Sequence, residues 1–179
     1  FSMACSFSMV VTLENDFNSR LSITAFGFSL AFSMLMVGRL LFQVPLGRFS
    51  DYIGRKPIMI AGLVLMGVVT ILMGEVETLA QLIVLRGMQG IAAAGVAAPA
   101  FAVAADLSSD GGEDRQMSMI TTGFSLGIAM GPLLAGMLAV YFFELPFLVI
   151  GLMTIAGAMV VLRYMPETVE GDRVVFKTN

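Results

Sequence analysis

The sequence predicts an all-α membrane protein: a bundle of six transmembrane helices, the first of them truncated. Three observations carry that prediction. Of the 179 residues, 58% are hydrophobic and 13% charged, about half the charged share of an average soluble domain. The apolar residues gather into runs close to the roughly 20 residues that a helix needs to cross the hydrocarbon core. The runs do not alternate over about ten residues as barrel strands do, and a helix satisfies its own backbone polar groups where no water is at hand.

Taken in order, residues 1–12 read as the outer end of a truncated first span, with an uncharged signal-peptide core as the alternative. Residues 13–21 read as a polar turn carrying Glu14, Asp16 and Arg20. The second span covers 22–46 and is broken only by Arg39 and Gln43. A polar hinge follows at 47–57. The third span is 58–74, with Glu75 and Glu77 at its exit, and the fourth, rich in Gly and Ala, is 78–105. An acidic loop with the Gly111-Gly112 breaker covers 106–116. The fifth span is 117–140. Glu144-Leu145-Pro146 makes a turn, the sixth span is 147–164, and Pro166 stops it. Residues 166–179 read as the start of a polar linker.

Charge sets the expected orientation. One side of the bundle carries Arg48, Arg55, Lys56, Arg115, Arg163, Arg173 and Lys177, and the other carries only Arg20. The excess of cations places the 47–57 hinge and the C-terminal tail in the cytoplasm. The net charge of -3 leaves no basic footprint for nucleic acid. The chain has one cysteine, Cys5, and no histidine. An intramolecular disulfide is excluded, a zinc or haem site is disfavoured, and the commonest general base is missing. Gly123-Phe124-Ser125-Leu126-Gly127 fits the nucleophile pattern of hydrolases but lies inside a helical run with no base to serve it, so no enzyme is read here. No catalytic residue, metal site or cofactor is expected.

The hinge holds Gly47, Asp51, Gly54, Arg55 and Lys56 in the pattern Gly-x-x-x-Asp-x-x-Gly-Arg-Lys. An ordinary cytoplasmic turn explains the cations, but not an aspartate and two glycines at this spacing. Gly54 permits a positive φ. Asp51 can accept backbone N–H groups at a helix N-terminus or pair with an arginine. The stretch resembles the signature loop of the major facilitator superfamily, between that family's second and third helices. The resemblance implies that Asp51 helps to latch two helical halves together and that Gly47 permits close helix packing.

Two further matches extend the resemblance. Arg86-Gly87-Met88-Gln89-Gly90 resembles the family's fourth-helix pattern, Arg-x-x-Gln-Gly. An arginine two turns inside a membrane helix is paired, snorkelling or facing water. The resemblance implies a part for Arg86 in proton coupling, with Gln89 one turn on and Gly90 beginning a run of small residues that admits a neighbouring helix. Gly123, Gly127, Gly131, Pro132 and Gly136 resemble the fifth-helix motif of drug/proton antiporters, with Ala135 standing where the first of two paired glycines is expected. Glycines every four residues give a smooth packing face, and Pro132 removes a helix hydrogen bond. Arg39 reads as a cation snorkelling toward the hinge. Pro166-Glu167-Thr168 weakly resembles the family's ending to its sixth helix. The fifteen methionines read as adaptable packing.

The resemblance therefore implies the N-terminal six-helix half of a secondary transporter in a prokaryotic cytoplasmic membrane. Its surroundings are the lipid bilayer, a small-molecule substrate and a second six-helix half that this chain lacks. The expected activity is proton-coupled efflux of small lipophilic compounds by alternating access. The alternatives are a metabolite uptake symporter or facilitator of the same superfamily, and a non-transporting six-helix scaffold.

Overall fold

A computed structural model describes residues 1–106 and 113–165. Of the acidic loop expected at 106–116, residues 107–112 lie outside the described residues, as do the Pro166-Glu167-Thr168 ending and the linker at 166–179; the rest of it is not loop, since residue 106 ends one helix and 113–116 open the next. The elements are α1 (Ser2–Thr12), α2 (Glu14–Leu21), α3 (Ala25–Ile53), α4 (Arg55–Met73), α5 (Leu79–Asp106), α6 (Glu113–Ala139) and α7 (Leu145–Tyr164). Five of these, α3 to α7, are long and apolar enough to cross a membrane, and α1 is a shorter apolar helix.

Local chemistry fixes several helix ends. Thr24 opens α3 by accepting the Gly27 N–H on its hydroxyl oxygen at 3.3 Å. Thr78 and Gln81 open α5 reciprocally: the Gln81 N–H donates to the Thr78 hydroxyl at 3.3 Å, and the Thr78 N–H donates to Gln81 Oε1 at 3.2 Å. Ser22 closes α2 in the left-handed region with φ 52°.

Two further expectations need correction. Residues 13–21 are not a turn: Glu14–Leu21 is a helix. Glu14 and Asp16 sit in its first turn and Arg20 in its last, where each complements the helix dipole. Its one buried side chain, Phe17, sits among Phe28, Phe143 and Phe147 with ring centroids 5.1–6.4 Å apart. Nor is 47–57 a loop. Helix α3 continues through Gly47, Arg48, Ser50 and Asp51 to Ile53, and α4 begins at Arg55. The turn is compressed into Gly54, whose φ of 114° only glycine adopts readily. The change to polar residues after Leu46 marks where apolar sequence stops, and a helix can run on past that point.

The main packing pairs are α3 with α5, α4 with α5, α4 with α7, and α1 with α6. One buried cluster joins the α2 end of the bundle and includes Met9, Leu13, Phe17, Phe28, Met73 and Phe147. Across the α6–α7 turn from it, Arg20 Nη2 lies 2.7 Å from Glu144 Oε1, and its guanidinium carbon lies 4.3 Å from the Phe143 ring centroid. The Glu144 backbone N–H and the Arg20 guanidinium hold the Glu144 carboxyl below its ordinary value of 4.5.

Candidate functional site

Arg86 lies two turns into α5 and is fully buried, at 0% exposure. Snorkelling is therefore excluded. Its Nη1 donates to Gln89 Oε1 at 2.8 Å. The Gln89 Nε2 in turn donates to the Ser6 carbonyl oxygen of α1 at 3.5 Å, so the pair ties α5 to α1. The Arg86 guanidinium carbon stands 5.6 Å from the Phe32 ring centroid of α3, a cation–π arrangement. Its Nη2 is buried and has no hydrogen-bond partner among the described residues. No carboxylate pairs with it there either, since the ion pairs among the described residues are Arg20–Glu144 and Arg55–Asp51. A carboxylate for Arg86 to tune is thus not supplied by the described spans. A charge held in this way is costly to bury.

Gly90, one turn beyond Arg86, lets α3 approach. A Cβ there would collide with the Leu35 carbonyl oxygen and lie 2.8 Å from the Arg39 backbone nitrogen. Arg39 is half-buried on the same seam. Arg39 is also the one ionisable side chain lining a cavity of 510 Å³ whose walls include Met3, Leu63, Val96, Phe101, Met119 and Phe124. Phe1 and Ser2 close one side of that space, so residues preceding Phe1 in a longer protein would border or fill it.

At the α3–α4 junction, Asp51 sits in the last turn of α3 and not at a helix N-terminus. Its Oδ1 lies 3.5 Å from Arg55 Nη2, with the aspartate side chain 61% exposed and the arginine 13%. A carboxylate at a helix C-terminus is disfavoured by the dipole, and the neighbouring guanidinium offsets that. Ser50 is buried and donates to the Gly47 carbonyl oxygen at 2.7 Å. Gly47 itself is in no tight spot: a Cβ would lie 3.6 Å from the Ala98 Cβ, ordinary contact. The close-packing part expected of Gly47 is not needed in this arrangement. Lys56 is half-buried in the first turn of α4.

The glycines of α6 divide. Gly127 and Gly131 face α1: a Cβ on Gly127 would collide with the Phe1 carbonyl oxygen and the Ala4 Cβ, and one on Gly131 with Ser8 Oγ and the Cys5 carbonyl oxygen. Ser8 Oγ spans the seam and donates to the Gly127 carbonyl oxygen at 3.3 Å. Gly123 only grazes it, 4.0 Å from the Phe1 nitrogen, and Pro132 is half-buried inside the helix. Gly136 has nothing within 4 Å of an added Cβ, whereas Ala135 is fully buried. Gly136 therefore does not belong to the packing face. Five residues after Gly131 it has turned well away, while Ala135, at the helical repeat of four, continues the stripe.

Other close approaches were not singled out from the sequence. A Cβ on Gly38 would lie 2.5 Å from the Gly87 carbonyl oxygen, and Gly67 and Gly151 pack against each other between α4 and α7. Lone glycines inside apolar runs were the available signal. The Phe17 cluster and the Arg20–Glu144 pair had none, because Phe17 and Phe28 lie more than a hundred residues from Phe143 and Phe147, as Arg20 does from Glu144.

Comparison with known proteins agrees with this geometry. The family model for the Major Facilitator Superfamily matches residues 1–176. The chain is 27% identical to the inner membrane transport protein YnfM of Escherichia coli, covering 92% of this chain and 39% of that protein. It is 28% identical to a bicyclomycin resistance protein homolog of Haemophilus influenzae, covering 82% and 35%. It is 25% identical to the multidrug resistance protein MdtM of Escherichia coli O157:H7, covering 93% and 40%. The chain thus spans well under half the length of these relatives. Its fold resembles a bacterial homolog of the human lysosomal transporter Spinster, in an inward-facing and occupied conformation, with a TM-score of 0.82 at 16% identity over 93% of this chain and 42% of that one.

Proposed function

The chain belongs to the Major Facilitator Superfamily, and from that premise we propose that it is the N-terminal bundle of a proton-coupled exporter of small lipophilic compounds. It is an integral membrane protein and not an enzyme. The observation that carries the efflux reading is Arg86, fully buried and held by Gln89 and Phe32 between α1, α3 and α5. A charge placed there at such cost biases whatever protonation or conformational step occurs beside it. The drug-resistance names of two relatives support the substrate class.

In this reading the α3–α4 junction and the C-terminal tail face the cytoplasm, the side with the excess of cations. The exposed Asp51 beside Arg55 is the part of the junction available to engage a second bundle, and rocking of two bundles gives alternating access. A second reading, a facilitator of the same superfamily that moves its substrate without a proton, is favoured by one observation: the described spans place no carboxylate beside Arg86 to carry the proton.

The test is proton movement in vesicles carrying the full-length protein under an imposed pH gradient, with a panel of lipophilic compounds added. Collapse of the gradient on addition of a compound, lost in Arg86→Ala, is the expected result. Gradient-independent uptake of a metabolite, with no proton movement, would move the assignment to the facilitator.

A further inference from the structure

We propose that the exposed faces of α3 and α6 border water in two separate stretches, an outer one at Ser29 and Ser33 and an inner one at Gln43, Ser118, Thr122 and Ser125; this rests on the transporter reading above and names residues along its path. The observation is that the exposed surface of the bundle has two chemistries. On α4 the exposed side chains include Val64, Val68 and Leu72, and on α7 Leu148, Leu152 and Met159. From 57 to 72 and from 148 to 162 no exposed residue is polar, and acyl chains suit such a surface. The other two helices differ. Ser29, Ser33 and Gln43 are exposed on α3, and Ser118, Thr122 and Ser125 on α6. Each set lies on the side of its helix away from the packing seam, since Gly38 meets α5, and Gly127 and Gly131 meet α1.

Nothing local satisfies these groups. Elsewhere in the spans a hydroxyl donates to the carbonyl oxygen four residues back, as Thr70 does to Met66 at 2.7 Å and Thr154 to Ile150 at 2.8 Å. The hydroxyls of Ser29, Ser33, Ser118, Thr122 and Ser125 have no hydrogen-bond partner among the described residues, and only Thr121 beside them returns its hydroxyl to α6. A polar group left without a partner is costly in hydrocarbon, so these faces turn to water and not to acyl chains. An open groove of 660 Å³ follows Ser118, Thr122 and Ser125 along α6.

The two stretches lie at different depths. In the orientation set by the cations, α3 enters from the outer side and α6 from the cytoplasm. Ser33 is eight residues into α3, about 12 Å from its outer end, and Ser125 is twelve residues into α6, about 18 Å from its inner end. Between Ser33 and Gln43 every exposed residue of α3 is apolar, Met36, Val37 and Leu40 among them, and Arg39 is half-buried on the α5 seam. The outer half of α6, from 126 to 139, likewise exposes no polar side chain. This apolar band separates the outer water from the inner, because a hydrophobic constriction dries where it narrows.

The experiment is thiol labelling of the full-length protein with every native cysteine, Cys5 included, replaced by alanine. Ser29→Cys and Ser33→Cys report the outer stretch, Ser118→Cys and Ser125→Cys the inner one, and Val68→Cys and Leu152→Cys the lipid-facing surface. A membrane-impermeant maleimide is added to right-side-out or inside-out vesicles, with a pH gradient and a panel of lipophilic compounds present. The expected result is labelling at least about tenfold faster at the four serine positions than at Val68 and Leu152, because a thiol reacts as its hydrated thiolate. The outer pair reacts from outside and the inner pair from the cytoplasmic side. Monodisperse size-exclusion profiles establish that each variant is folded. Serine positions no faster than the two controls overturn the inference, since the faces are then packed dry against a second bundle or lie in lipid. Slow labelling confined to one pair overturns the stretch that the pair reports. Reaction of a position from both sides overturns the separation by an apolar band, and reaction of the two pairs from exchanged sides overturns the inner and outer assignment. Movement of a compound while the serine positions stay unreactive removes this inference alone. Labelling as expected, with no compound or metabolite moved, keeps the water-facing assignment and removes the transporter reading.

Discussion

Arg20 and Arg86 carry the same charge and are handled in opposite ways. Arg20 stands at the α2 end, 47% exposed, with a carboxylate 2.7 Å away and an aromatic ring beneath it. Arg86 is fully buried, with an amide, an aromatic ring and no carboxylate. An exposed ion pair gains little, because water and salt already stabilise each partner. A buried cation without a counter-charge is a standing cost that packing elsewhere must offset. Removing Arg20 should therefore alter stability slightly, and removing Arg86 should alter function far more than stability.

The largest effect is expected from Gly90→Leu, which strikes the seam that holds only one of the two arginines. The added side chain collides with the α3 backbone at Leu35 and Arg39, and overpacking of this kind costs about 3 kcal/mol. Thermal unfolding of the full-length protein in detergent should show the loss. The Arg20–Glu144 pair should remain intact in that variant, and a wild-type melting curve would contradict the close α3–α5 approach.

Arg86→Met comes next. Coupled transport should fall by about 10- to 100-fold, the usual size of a coupling free energy, while stability stays level or rises by about 1–2 kcal/mol. Arg20→Met should leave transport within about twofold. Equal transport losses in the two variants would erase the distinction between the arginines.

A smaller effect concerns Glu144. Its folded carboxyl is held below the ordinary 4.5, so the stabilisation is fully present above that pH and is lost as pH falls through the depressed value. A double-mutant cycle on Arg20 and Glu144 should give about 0.5 kcal/mol or less at neutral pH, and Glu144→Gln should remove the added acid sensitivity below pH 4.5. The smallest effect is expected from Gly136→Ala, within about 0.5 kcal/mol of wild type, because an added Cβ meets nothing. Gly131→Ala, which meets Ser8 and Cys5, should be clearly worse.

How much of this was legible in sequence follows from which forces are local. The spans were legible because hydropathy is summed along the chain, and Arg86 was marked by its depth in an apolar run. Helix ends were less so. Residues 47–53 become polar and remain helical, and 14–21 are polar enough to look like a turn until Phe17 finds Phe28, Phe143 and Phe147. The glycine spacing of α6 foretold a packing face, but not that α1 fills it or that Gly136 leaves it. The choice between snorkelling and burial for Arg86 depended on Gln89, Phe32 and α1 closing over it, a three-helix arrangement that no single run of sequence encodes.

The most direct test of the part given to Arg86 is to compare uphill with downhill transport in Arg86→Gln, using full-length protein in vesicles and a compound that the wild type exports. If the buried charge serves coupling, accumulation against a gradient is lost while downhill exchange of the same compound continues. If accumulation persists at the wild-type level, Arg86 is a structural cation and the coupling step lies elsewhere in the protein.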